Sequence, residues 1–160
     1  MGREPTARRG VTRDEQLRTE LLALATRAND PASADRLWGM LDDLEAWPGE
    51  RLVGKDGAHA AWLVAQLGDR GLQERALEHL EVAVDCGDAP PAHYACLLDR
   101  VRMAAGRPQV YGSQVVAGDD GDLTPWPIED AAHVDQRRAR VGLGPLAEHT
   151  AILRERRGSP

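Results

Sequence analysis

His59 and Gln66 are where a chemical reading of this sequence begins. They stand seven apart in the stretch from Ala58 to Leu67, which is apolar on nearly every side. On a helix that spacing puts them on one face, two turns or roughly 10 Å apart. A buried imidazole or amide is costly unless hydrogen-bonded. The pair is therefore a satisfied structural network, or the wall of a pocket with His59 as general base, or His59 is simply exposed near the helix start.

A second group follows the helix that carries Asp99. Gln109, Tyr111, Ser113 and Gln114 place four hydrogen-bonding side chains within six residues, with Gly112 permitting a tight turn or close approach. In an extended strand, Gln109, Tyr111 and Ser113 would share one face and Gln114 the other. Such a segment is either pinned to the helices by its amides or contacts a ligand, since sites concentrate on loops held by rigid scaffolds. Asp99 and Arg102, three apart, suit a solvated intrahelical ion pair. In the alternative, Asp99 or Arg100 reaches into the loop and anchors it, because the guanidinium fork grips carbonyls and carboxylates. Arg138 shares a face with Val134 and Val141 and so points inward more readily than Arg137. There it needs a carboxylate, Asp99 or Glu129, or else an anionic ligand.

Read as an enzyme, the chain would use His59 as base, Tyr111 as proton donor and Asp99 as a third catalytic group. Gln66, Arg100, Gln109, Gln114 and Arg138 would then bind substrate. His79, His133 and His149 sit among charged residues and read as solvated. His93 and Cys96 stand at i, i+3, but without two further ligands they do not make a zinc site. Cys86 and Cys96, ten apart, read as reduced and buried thiols. Nucleophile-elbow, zinc-protease, P-loop and dinucleotide signatures are all missing, so neither a metal nor a cofactor is expected.

The elements that must position these groups are helices. Leu17, Leu21, Leu24, Ala25 and Ala28 recur at helical spacing from Asp14 onward. Asp30-Pro31 reads as a cap followed by proline at the first helical position, opening a helix that buries Leu37, Met40, Leu41 and Leu44. That helix ends before Trp47-Pro48-Gly49. Gly49 to Gly57 reads as a loop with Leu52 and Val53 tucked inward. Three helices follow: the apolar one from Ala58, one with Leu72, Ala76, Leu77, Leu80, Ala83 and Val84, and one from Pro90-Pro91 with Tyr94, Leu97, Leu98 and Val101. Residues 107–128 read as a long polar loop or short hairpin across a turn at Gly118 to Gly121. A non-helical segment of that length in a helical domain is often functional. Helices from about Asp130 to Val141 and after Pro145 close the chain. The expected fold is all-α, an irregular single-domain bundle of about seven helices, with residues 13–157 as the domain and 1–12 as a flexible lead-in.

Composition limits the function classes. Hydrophobic residues are 42% and charged residues 29% of the 160, the balance of an ordinary globule, and no apolar run approaches a membrane span. The first twenty residues carry Arg3, Arg8, Arg9, Arg13 and Arg18 without the apolar core of a signal peptide, so a cytoplasmic protein is expected. The net charge is −6, and six acids with no Lys or Arg occupy residues 110–136. That segregation argues against a basic groove and hence against nucleic acid. Of the 20 basic residues only Lys55 is lysine, a codon bias that suggests a GC-rich, actinobacterial source.

The chain from Val53 to Leu146 resembles a bacterial family known as domain-of-unknown-function family 6624. The resemblance rests on Gly57-Ala58-His59-Ala60-Ala61-Trp62, on Gln66, and on Asp99-Arg100-Val101. It continues through Gly106-Arg107-Pro108-Gln109-Val110-Tyr111-Gly112-Ser113-Gln114, Pro127-Ile128-Glu129-Asp130 and Val134-Asp135-Gln136-Arg137-Arg138. Members of that family often carry histidine directly after the glutamine of the central helix, where this chain has Leu67. The resemblance implies no established activity. Two functions are therefore expected in competition. One is a cofactor-independent enzyme or binder acting on an anionic or amide-bearing small molecule or peptide, with specialised metabolism as its setting. The other is a non-enzymatic helical interaction module. They differ in one observable. An enzyme should gather His59, Tyr111 and an arginine around unfilled space, whereas a module should leave those groups satisfying one another.

Overall fold

Three aspartates start helices in the same way. Asp14 accepts a hydrogen bond from the Leu17 N–H, Asp30 from Ala32 and Asp69 from Leu72, each at 2.9 Å. The computed structural model describes residues 13–119 and 121–158, so the expected lead-in over 1–12 lies outside the described residues. It contains seven helices among those residues: α1 (Glu15–Ala25), α2 (Pro31–Leu44), α3 (Glu50–Leu67), α4 (Arg70–Asp85), α5 (Pro91–Ala104), α6 (Val134–Arg140) and α7 (Leu146–Gly158). One antiparallel hairpin, β1 (Val115–Ala117) with β2 (Leu123–Pro125), pairs Val116 with Thr124. The mostly helical architecture and the hairpin inside the polar loop match the expectation from sequence.

The apolar core is built by α1 to α5. Leu21, Leu37, Leu41, Val53, Ala61, Val64, Ala65, Ala76, Leu80 and Leu97 are all fully buried in one cluster. Nine of the 18 residues of α3 are buried, among them Ala58, Ala60, Ala61, Val64, Ala65 and Gln66 of its apolar C-terminal part. Among the described residues no helix is long and apolar enough to cross a membrane.

The segment from Gly49 to Gly57 corrects the sequence reading. It is helical from Glu50, broken only at Gly54, where φ is 75°. A long-range cap overrides the glycines. Asp88 caps the start of α3, its carbonyl accepting from the Glu50 N–H at 2.9 Å and its carboxylate from Arg51 at 2.8 Å. Gly57 lets α1 pack close, since a Cβ there would crowd Val53 of α3 and lie 3.2 Å from the Arg18 side chain of α1. Helices α1 and α3 pack closely along each other.

Helix α5 has two working faces. One carries Leu97 into the core, and the other faces residues 107–158, none of which belongs to that core cluster. The C-terminal third is thus mounted on the helix that presents Asp99.

Candidate functional site

Asp99 is fully buried, and its carboxylate accepts four contacts from three backbone N–H groups of the following loop. Val110 donates at 2.7 Å, Tyr111 at 3.0 and 3.2 Å, and Ser113 at 2.9 Å. Charge-assisted bonds of this kind are the strong class. Gln109, also fully buried, completes the turn. Its Nε2 donates to the carbonyls of Gln114 and Trp126, and its Oε1 accepts from the Gln114 N–H at 2.8 Å. Gly112 adopts φ 68°, and a side chain there would collide with Leu146.

Three arginines brace this loop from outside. Arg138 is 2% exposed and donates to the carbonyls of Tyr111 at 2.7 Å and Gly144 at 2.5 Å. Burial pulls its pKa down, while Cys96, Asp135 and Asp99 nearby favour its charge. Arg137 donates to the carbonyls of Val110, Glu129 and Asp130. Arg102 donates to the Pro108 carbonyl and pairs with Glu129 at 2.5 Å. The solvated Asp99–Arg102 pair expected from spacing does not form. Nor does Arg138 bond a carboxylate directly: backbone carbonyls take the place of Asp99 and Glu129. Backbone amides saturate Asp99, leaving Glu129 to Arg102.

His59 and Gln66 belong to a different arrangement. Helices α3 and α5 meet along a polar seam with constant offset. His59 Nδ1 lies 3.3 Å from His93 Nε2, and Arg100 donates to the Gln66 carbonyl at 3.0 Å, both pairs being 34 residues apart. Trp62 stacks on His93 with ring centres 4.4 Å apart and donates its indole N–H to the His93 carbonyl. Burial, aided by His59, pushes the His93 pKa down to about 4, so this imidazole is neutral at pH 7. Between the two pairs lies Cys96, half-buried, its thiol pKa raised by burial and drawn down by a hydrogen bond with the Ser113 side chain. Gln114 reaches the same seam, its Nε2 donating to the Ser113 hydroxyl at 3.1 Å.

Arg100 is the unusual member. It is half-buried, and burial lowers its pKa with only the Cys96 thiol favouring the charge. Among the described residues its Nε has no partner, and neither do Gln66 Nε2 and His93 Nδ1, all three being buried. Among the described residues Arg100 has no carboxylate partner, so the cation is held by one carbonyl. Buried unpaired donors cost roughly 1–3 kcal/mol each.

The structure thus divides the expected site. His59, Gln66 and Arg100 come together on the seam, and Gln114 borders it. Asp99, Gln109 and Arg138 instead form the bracing of the loop. Tyr111 is half-buried and joins the bracing through its backbone; its phenol lies within electrostatic reach of Tyr94. In the sequence His93 stands out only as a poor zinc spacing. The signal that could have found it is the repeat of i, i+3, i+7 spacing in His59, Trp62, Gln66 and in His93, Cys96, Arg100. Three other sequence readings are corrected. Cys86 is exposed rather than buried. His79 and His149 are partly buried rather than solvated, and burial lowers the pKa of both. Among the described residues no three His, Cys, Asp or Glu side chains are grouped to hold a metal ion. Leu67 is 45% exposed and lines a separate cleft beside Asp30, Asp35 and Asp69.

A family model described as "Family of unknown function (DUF6624)" matches residues 15–159. No curated protein and no solved structure matches the chain.

Proposed function

The chain belongs to this family of unknown function, and we propose that it is a cofactor-independent small-molecule protein whose site is the α3–α5 seam. Its ligand carries a carboxylate or amide oxygen that pairs with Arg100. One observation carries this reading: a half-buried guanidinium that, among the described residues, has a single carbonyl partner and no carboxylate. A cation so placed is expensive unless something anionic completes it.

The rest of the seam supports the assignment. Gln66 and Gln114 supply amide hydrogen bonds that orient the ligand. His59 is exposed at one end, hydrogen-bonded to a neutral His93, which positions it to move a proton if the ligand is turned over. The free thiols Cys86 and Cys96 fit a reducing, cytoplasmic setting. A single cation suits a small anion better than a nucleic-acid backbone, which needs many. An actinobacterial source with a role in specialised metabolism fits the arginine-rich composition.

A second reading has its own support. Asp99, Gln109 and the Arg137–Arg138 pair satisfy the loop backbone, as a non-enzymatic interaction module would have them do.

A thermal-shift panel of small carboxylic acids and primary amides at pH 7 separates the two readings. A ligand at 100 times its Kd stabilises by about 2.7 kcal/mol, a rise of roughly 5–10 °C for a chain of this size. Arg100→Gln should abolish that rise. Arg100→Met should leave the unliganded melting temperature unchanged or higher, since it relieves a buried charge. A panel without a hit, a shift that survives Arg100→Gln, or an Arg100→Met protein that melts much lower would each defeat the seam as a binding site.

A further inference from the structure

A separate cleft of about 290 Å³ opens where the α2–α3 connection meets the C-terminal half of α4. It is lined by Trp47, Val82 and Ala83, together with His79 and Cys86. None of these residues belongs to the α3–α5 seam. The volume is near the lower end of ligand sites and suits one ring system.

Two buried polar atoms of the lining residues have no partner among the described residues, Trp47 Nε1 and His79 Nε2. Trp47 is only 5% exposed, so its indole N–H is a buried donor left unbonded. Indole N–H groups usually find a partner when buried, and buried polar groups without one are rare enough to need a cause. The charges around the cleft define what would supply it. Arg51 is already engaged: it donates to the Cys86 carbonyl at 2.5 Å and lies 3.8 Å from Asp88. Glu45 also lines the opening, so the two carboxylates outnumber the one guanidinium. An anionic ligand is repelled, and an ammonium or guanidinium group offers the indole nothing to accept its hydrogen. A neutral ring carrying a carbonyl satisfies both conditions.

We propose that this cleft is a second small-molecule site, for a neutral aromatic ligand whose carbonyl oxygen accepts from Trp47, with Cys86 at its mouth. The exposed thiol makes the proposal testable without knowing the natural ligand. The full-length protein is equilibrated with cysteamine disulfides bearing benzamide, benzoate or butyl groups, against increasing 2-mercaptoethanol. Intact-mass spectrometry then reads the occupancy of each conjugate. Cys96→Ser removes the other thiol and serves as the parent.

The benzamide conjugate should survive at least tenfold more reductant than the butyl or benzoate conjugate. Trp47→Phe keeps the ring and removes the N–H, and should erase the preference. Val82→Trp, at a position 63% exposed, should cover the cleft and erase it as well without touching the core. Equal retention of the three groups overturns the proposal, as does a preference for benzoate or one that persists in Trp47→Phe. If Trp47→Phe fails to fold, Val82→Trp decides alone. Arg100 variants should leave this readout unchanged, so failure here is distinct from failure of the seam.

Discussion

Among single residues, three histidines show how burial writes a pH dependence into the fold. His79, His93 and His149 all have lowered pKa values, with desolvation the leading cause in each. A histidine kept neutral by folding binds fewer protons in the native state than in the unfolded chain. Its contribution is complete above about 6.5, and is lost as the unfolded chain takes up protons below that value. For His93 the loss runs from 6.5 down to about 4, where the folded form is protonated too. Urea midpoints measured between pH 7.5 and 4 should therefore fall with acid, and His93→Gln should flatten that fall. Equal slopes for the two proteins would show that His93 is not held neutral. Asp56, held down at about 2 by Arg18, acts in a lower and separable window.

Among the helices, two glycines of neighbouring segments have opposite roles. Gly49 caps the start of α3, and a Cβ there would collide with the Asp88 carboxylate and lie 2.8 Å from its carbonyl. Asp88 cannot retreat easily, because it accepts from both Glu50 and Arg51. Gly49→Ala should cost roughly 1–3 kcal/mol by overpacking, a drop of several degrees in melting temperature. Gly39 lies inside α2, where a Cβ would find its nearest neighbour, the Arg36 guanidinium, 3.8 Å away. Gly39→Ala should stabilise by about 0.5–1 kcal/mol through helix propensity. Paired melting curves check both signs. The cap at Asp88 also explains why a segment with three glycines, 49, 54 and 57, is helical rather than a loop.

Across the molecule, the chain is held together by two different means. Helices α1 to α5 share an apolar cluster, whereas residues 107–158 lie outside it and are tied to α5 by hydrogen bonds to Asp99 and Arg102. Regions with few core contacts open at lower free energy than the core. Asp99→Asn replaces an acceptor by a donor among three N–H groups, and hydrogen bonds to charged groups are worth about 1.5–3 kcal/mol each. Hydrogen exchange should then accelerate across residues 107–158 while α1 to α4 keep their protection. Uniform acceleration over the whole chain would show one cooperative unit instead.

The features legible in the residues alone are local or periodic. Asp14 and Asp30 open helices through contacts two or three residues away, and Leu21, Leu37, Leu80 and Leu97 are buried because helical spacing sorts them inward. The inward turn of Arg138 follows from the same periodicity. Which group answers which is settled by packing in three dimensions. A buried carboxylate is satisfied equally by an arginine or by backbone amides. Spacing therefore could not tell that Asp99 takes the loop N–H groups while Arg102 goes to Glu129. The meeting of His59 with His93 and of Gln66 with Arg100 depends on how two helices are laid side by side. That register is set by the shapes of the packed core, and no short window of residues contains it.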